Sequence, residues 1–386
     1  MKILIIARGC PNNFDSVYGN FEYEQAVALQ KMGVDIIFSF IDRRSRTTYK
    51  RTKGLKKWEG FPFPVYGGYT WPVIPFKYFP RLSTWLYSKR FFKLFKMILE
   101  KEGVPDIIHC HYLFNIPLAA LVAKKYGIPV VETEHWSDIK KQKLPNYVFF
   151  LSRYYDSVHS VVTVSEALKK TLEQKFNVNS ERIYNMVAND YFENIPPRKK
   201  SNNTVQLITI GSLIHRKGFD ILIEALSGLE PSDWELTIIG EGPLHEDIQK
   251  QINGKALGNR IILLGKQDKK SIKDLMNKSD VFVLASRSET FGVVYIEAMA
   301  CGIPVIATRC GGPEEFVTSE IGKLVEVEDV EGLRSELKWM INNYLMFDRE
   351  LIQMRCYEQF SSDKIASEYI NVYRRILDSS KIDYEA

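Results

Sequence analysis

The chain is poor in cysteine. It has five in 386 residues (Cys10, Cys110, Cys301, Cys310 and Cys356), an odd number with no CxxC pair. That argues against a disulfide framework and suits free thiols in a reducing cytoplasm. No apolar run approaches the roughly 18 residues that cross a bilayer. The opening MKILIIARG is too short, and lacks the small-residue cleavage site, for a signal peptide, so it reads as a first strand. Two glycine fingerprints are also missing. No GxGxxG follows that strand, which argues against a dehydrogenase, and no GK[ST] completes a phosphate loop.

Acidic residues are absent from Phe61 to Leu99. More widely, residues 43–99 hold fourteen Lys and Arg against a single acid, Glu59, while the whole chain carries only +5. The excess positive charge is therefore local and calls for an anionic partner at one place. Aromatics and prolines interleave with these cations, and SKRFFKLFKMIL can form a basic amphipathic helix. Contact with an anionic membrane surface through residues 43–99 is the favoured reading, with packing on the chain's own core as the alternative. No nucleic-acid recognition module is visible.

Length alone favours two domains. Strand-like runs at Lys2–Ala7, Asp35–Phe40, Asp106–His111, Pro129–Glu134 and Ser160–Ser165 alternate with helical patterns at Phe21–Met32, Pro117–Tyr126 and Glu166–Phe176. The polar, proline-paired stretch ENIPPRKKSNN, 193–203, reads as a linker. The alternation then resumes through Leu207–Ile210, Glu235–Ile239, Ile261–Leu264 and Val281–Ala285, and the tail from Val330 reads as helical. Near-continuous apolar strands separated by helices predict parallel sheets covered on both faces, hence two doubly wound α/β domains in tandem. Ligands of such sheets bind beyond the carboxyl ends of the strands.

The most informative segment is SRSETFGVVYIEAMACGIPVIAT, 286–308. A polar turn carrying Glu289 follows a buried strand. Phe291 and Gly292 open a helix, and Glu297 lies within it. Backbone N–H groups at a helix start favour an anion, and flanking carboxylates can accept hydrogen bonds from hydroxyls, so the pattern suits a ligand with both phosphate and sugar. After the strand LITIGSL, Gly211 permits a close turn, and Arg216 and Lys217 supply two cations suited to a diphosphate. Gly240-Glu241-Gly242-Pro243 ends the next strand as a tight turn or a ligand approach. In the first half, Gly19 precedes a helix and could bring N–H groups to a phosphate. His109 and His111 share one face of a strand, with Glu134 and His135 ending the next. His109 reads as a core histidine and His111 as a partner for a substrate hydroxyl. No third or fourth ligand lies nearby for a metal. Glu289 and Glu297 could also pair as in a glycosidase, but carboxylates beside cations suit staying ionised better than donating a proton.

Together these residues resemble the family 4 retaining glycosyltransferases, the glycosyl transferases group 1 with the GT-B fold. ExFGxxxxE is met by Glu289, Phe291, Gly292 and Glu297. G-S-L-x-x-x-K-G-x-D is met by Gly211 through Asp220, G-x-G-P by Gly240 through Pro243, and Gly302 through Glu315 continue the match. The resemblance implies two Rossmann-like domains with a cleft between them. Residues 1–195 would bind acceptor, 204–360 would bind donor, and a last helix in 361–386 would cross back to the first domain. It implies that Arg216 and Lys217 neutralise the donor diphosphate and that Glu289 holds a donor-sugar hydroxyl with backbone near Phe291 and Gly292. Glu297 would bind the ribose, the backbone around Lys266 would meet the base, and Glu241 would be among the donor-binding residues. Gly19 and His111 would border the reacting centre. The expected reaction moves a sugar from a UDP- or GDP-linked donor to a lipid-linked or growing glycan acceptor in cell-surface polysaccharide synthesis. The enzyme would be cytoplasmic and peripheral to the inner face of the membrane. With no DxD at a strand end and the nucleotide sugar as co-substrate, neither cofactor nor essential metal is expected. The family's I-P-N-G-V-D stands here as Ile183 to Ala188 (IYNMVA), and its first-loop GG as Gly19-Asn20. The alternatives are a nucleotide-sugar epimerase of the same architecture and a non-catalytic glycan- or lipid-binding protein.

Overall fold

A computed structural model describes residues 1–11, 18–43, 54–69, 74–75, 77–192, 195, 204–229 and 234–385. The chain divides into two compact units. One is Met1–Tyr184 with Ser362–Ala386, and the other is Asn185–Ser361. Apart from Ile195, the expected linker at 193–203 falls largely outside the described residues, as does much of the basic run, including Arg44, Arg46, Lys50, Arg51 and Lys53.

The first unit is built on eight strands: β1 (Lys2–Ala7), β2 (Asp35–Asp42), β3 (Lys56–Trp58), β4 (Val65–Tyr69), β5 (Ile107–His111), β6 (Val130–Glu134), β7 (Ser160–Thr163) and β8 (Glu181–Arg182). Their order is β3-β4-β2-β1-β5-β6-β7-β8, parallel except for the β3–β4 pair. The second unit holds β9 (Val205–Ile210), β10 (Trp234–Ile239), β11 (Ile261–Leu263), β12 (Val281–Leu284), β13 (Val305–Thr308) and β14 (Gly322–Val325), ordered β11-β10-β9-β12-β13-β14 and parallel throughout. In each sheet the chain starts in the middle, winds one way, then returns to wind the other. The switch point lies beside β1 and β5 in the first sheet and beside β9 and β12 in the second, and ligands of doubly wound sheets bind at the carboxyl ends there. The strands are apolar because both faces are covered: Ile3 to Ile6 and Val281 to Val283 have no solvent exposure.

The helix Pro80–Glu102 contains the basic amphipathic segment, and its apolar stripe is core. Phe91, Leu94, Phe95 and Ile98 recur at i, i+3, i+4 and i+7 and are fully buried. The expectation that this stripe meets lipid is thereby corrected. β3 and β4 also lie in that segment, unforeseen, because β4 reads VYGGY. At Gly67 a Cβ would sit 2.4 Å from the Phe40 ring, so the position admits no side chain although it weakens the strand signal.

The helical tail is three helices, Val330–Asn343, Arg349–Phe360 and Ser362–Glu385. The last belongs to the first unit. It buries Ile365, Tyr369 and Tyr373, and a burial such as that of Ile365 contributes about 1.5–3 kcal/mol. Tyr373 Oη lies 2.6 Å from His109 Nδ1, and Tyr369 Oη lies 3.2 Å from Thr133 Oγ1. Among the described residues no helix is long and apolar enough to cross a membrane.

Candidate functional site

In the second unit the loops after β9, β10, β11 and β12 meet at one edge of the sheet. Gly211 N donates to Ile239 O at 3.0 Å, Leu213 N to Glu241 O at 2.9 Å, and Gly240 N to Gly265 O at 3.0 Å. Arg287 N donates to Arg216 O at 2.7 Å, joining the β12 loop to the β9 loop. Backbone pairing therefore brings four sequence-distant motifs into one mouth.

Glu289 sits at its centre, with only 6 % of its side chain exposed. Lys217 Nζ donates to Oε1 at 2.5 Å and Ser286 Oγ to the same oxygen at 2.7 Å. Arg216 Nη1 donates to the Ser288 carbonyl at 3.0 Å and to Glu289 Oε2 at 3.4 Å. Burial alone would raise this carboxyl, but the Lys217 and Arg216 charges outweigh it and hold Glu289 below the ordinary carboxylate range. Glu289 is thus an ionised acceptor beside two cations and is unsuited to act as a general acid.

Arg287, which the sequence pattern did not single out, braces the loops. Its guanidinium makes two parallel bonds to Asp220, at 2.8 and 2.7 Å, and reaches the His215 carbonyl at 2.6 Å and Glu328. The hydrogen bonds from Arg287 hold Asp220 below its ordinary value. Such forked pairs fix direction as well as charge.

Phe291 is fully buried against Phe316 and Phe360, with ring centroids at 5.2 and 5.6 Å, so only its backbone can face a ligand. Gly292, in the left-handed region at φ 97°, starts the helix Val293–Ala300 with no side-chain cap. Glu297, within that helix, stands among other neighbours. Burial pushes its carboxyl up to about 7, with the Lys269 charge opposing and Asp190 adding to the rise. Glu241 and Lys266 are exposed. Glu297 therefore titrates apart from the Lys217–Glu289 group.

The sign of the Glu297 shift gives an expected result. A carboxyl that folding raises holds its proton more tightly folded than unfolded, so its contribution to stability declines as pH rises from the ordinary carboxylate range through about 7. Glu297→Gln should therefore melt above the wild type at pH 8 and equal to it at pH 4, as thermal denaturation at both values will show.

In the first unit the loops after β1, β2, β5 and β6 gather at the corresponding edge. Gly19 has φ 82° and caps the helix Asn20–Lys31, and a Cβ there would fall 2.3 Å from Gly9 O. Arg8, directly after β1, donates from Nε to buried Glu22 at 3.0 Å and lies 4.0 Å over the Tyr112 ring. Tyr112 has φ 68° and ψ 139°. For a bulky residue that backbone costs about 1–3 kcal/mol.

His109 is satisfied within the core by Tyr373 and Thr133. His111 is also buried. Its Nδ1 lies 3.1 Å from His135 Nε2, and its Nε2 has no hydrogen-bond partner among the described residues. Burial, then the neighbouring His109 and His135, keep His111 well below its ordinary value and so neutral. Glu134 is fully buried and points inward. Its carboxylate accepts from Leu113 N, His135 N, Trp136 N and the Tyr155 hydroxyl, at 2.8–3.0 Å, and thus fixes the loops after β5 and β6. Among the described residues no group of three or more His, Cys, Asp and Glu has the arrangement of a metal site.

Residues 190–354 match the family model for glycosyl transferases group 1, and residues 20–190 that for glycosyltransferase family 4. An uncharacterized glycosyltransferase of Methanocaldococcus jannaschii is 34% identical over 256 residues, covering 65% of this chain and 70% of its own. N-acetyl-alpha-D-glucosaminyl L-malate synthase of Bacillus anthracis is 30% identical over 306 residues, covering 74% and 78%. Among solved structures, HepE of Anabaena in complex with UDP and glucose superposes with TM-score 0.73 at 20% identity, over 96% of this chain and 99% of that one.

Proposed function

The chain belongs to the group 1 glycosyltransferases and has their GT-B fold, and from that premise we propose a retaining transfer of a sugar from a nucleoside diphosphate donor to an acceptor bound on the first unit. The observation that carries the proposal is the Arg216–Lys217–Glu289 group at the switch point of the second sheet. Two cations stabilise the charge that gathers on the departing diphosphate, which is electrostatic work. Glu289, held ionised, accepts a hydrogen bond from a donor-sugar hydroxyl, and Glu297 accepts from the ribose. The UDP and glucose held by the Anabaena relative support this donor class. No resident metal is required, since the protein itself supplies the cations. The test is incubation of a panel of UDP- and GDP-sugars with a panel of hydroxyl-bearing acceptors and reading of the glycoside product's anomeric configuration by NMR. Retention with one donor supports the proposal. Inversion would overturn the mechanism, and an altered sugar without acceptor would restore the epimerase alternative.

We further propose that the enzyme works at an anionic membrane surface, through a face other than the buried stripe. At the start of the helix Pro80–Glu102, Tyr78, Phe79, Leu82 and Trp85 are 65%, 57%, 45% and 56% exposed. Lys77 lies over the Tyr78 ring at 5.3 Å and Lys89 over Trp85 at 5.0 Å. Exposed aromatic and aliphatic side chains among cations suit the headgroup boundary. Trp85→Ser with Leu82→Ser should cut flotation on phosphatidylglycerol vesicles about tenfold. Equal flotation on neutral vesicles, or by the variant, would remove this part of the proposal.

A further inference from the structure

The carboxyl edge of the first sheet forms a half-open cavity of about 290 Å³, just below the usual range of ligand sites, about 300 to 1,000 Å³. Arg8 stands there at the end of β1, Arg43 after β2, and Tyr112 after β5, so the cavity occupies the switch point of its own sheet. Among the described residues its wall holds the two arginines and Asn115, and no Asp or Glu. Glu22, which acts on Arg8, and Asp42, which acts on Arg43, are buried and do not line it.

Both guanidinium groups are already oriented. Arg8 is fixed by Glu22 and the Tyr112 ring. Arg43 Nη2 donates to the Phe114 carbonyl at 3.0 Å and to Asn115 Oδ1 at 2.8 Å, with the guanidinium 4.8 Å from the Tyr87 ring. Asn115 is itself held, donating from Nδ2 to the His111 carbonyl at 2.9 Å. Oriented guanidinium groups suit the planar oxygens of carboxylate and phosphate, and little freedom is lost when they bind. The rings of Tyr18 and Trp136 complete the wall with flat surface. The strained Tyr112 backbone lies in the same wall.

We propose that this cavity is the acceptor site and that the acceptor carries an anionic group, a carboxylate or a phosphate, bound by Arg8 and Arg43. The assignment rests on the acceptor-side reading of the first unit given above and adds the chemical class of what binds there. The neutral part of the acceptor lies against the aromatic wall.

Trp136 makes the test direct. Succinate, glycerol phosphate and neutral glycerol are titrated into the full chain while tryptophan fluorescence is followed, with Trp136→Phe identifying the signal from this wall. UDP and GDP binding is measured in parallel on every variant. A saturable change with succinate or glycerol phosphate, but none with glycerol, is expected, and the anion that saturates shows which acid the acceptor carries. Arg43→Gln should weaken that binding at least about tenfold with nucleotide affinity unchanged. Should Arg43→Gln fail to fold, Asn115→Asp keeps the volume and places a carboxylate against Arg43, and it should weaken binding to the same degree. No response to either anion, or wild-type anion binding by the folded variants, would overturn the proposal. Failure of the wild type to bind UDP or GDP would instead count against the donor reading in the second unit.

Discussion

Replacing Lys217 with methionine is expected to lower the rate of transfer about 10²- to 10³-fold, the usual cost of one electrostatic donor lost from a preorganised site. Methionine keeps most of the length and volume of the lysine, so the loss is one of charge. The change also touches stability. Lys217 and Glu289 are 12% and 6% exposed, and removing one member of so buried a pair strands the other. The full cost of stranding is about 3–5 kcal/mol, and Arg216, 3.4 Å from the other oxygen, reduces it here. Pairing Lys217→Met with Glu289→Gln separates the two effects. The double variant should regain most of the melting temperature lost by Lys217→Met and none of the activity. Recovery of both would mean that the pair only holds the fold together.

Gly218→Ala is expected to be among the most damaging small substitutions near the site, destabilising the second unit by about 3 kcal/mol or more. Gly218 has φ 65°, where an L side chain is strained. A Cβ there would also sit 1.9 Å from the Ala285 carbonyl, at the end of β12, so the loop after β9 would have to lift from the neighbouring strand. That loop carries Arg216 and Lys217, and Arg287 ties it to the β12 loop through His215 and Asp220. Activity should fall with stability, and nucleotide should protect the variant little against thermal unfolding. Ordinary melting and activity in Gly218→Ala would show that the two loops are not held at this distance.

Much of this site was legible in the sequence because its residues stand close to strand ends. β1 and the helix Glu166–Phe176 begin and end where the apolar pattern places them, the latter with Ser165 as cap. Arg216, Lys217 and Glu289 stand out because charge follows within a few residues of a buried strand. Other features depend on sequence-distant partners. Arg287 is one of many surface-type arginines until folding brings Asp220 and Glu328 to it. Arg8 and Arg43 are 35 positions apart, and only the adjacency of β1 and β2 sets them in one wall. The helix Pro80–Glu102 misled for a related reason. Its pattern shows that one face is apolar but not what covers it, and the covering elements include the helix Ile116–Tyr126, where Tyr126 lies 5.3 Å from Phe95. The exposed patch at Tyr78, Phe79, Leu82 and Trp85 could be recognised only once the buried stripe had been assigned.

Whether Arg216 and Lys217 grip the donor's diphosphate is decided by calorimetric titration of UDP and GDP against UMP and GMP, into wild type and Lys217→Met. One diphosphate should bind the wild type at least about tenfold more tightly than its monophosphate, and Lys217→Met should erase most of that difference while leaving monophosphate affinity nearly unchanged. Equal affinity for diphosphate and monophosphate in the wild type, or an undiminished preference in Lys217→Met, would contradict it.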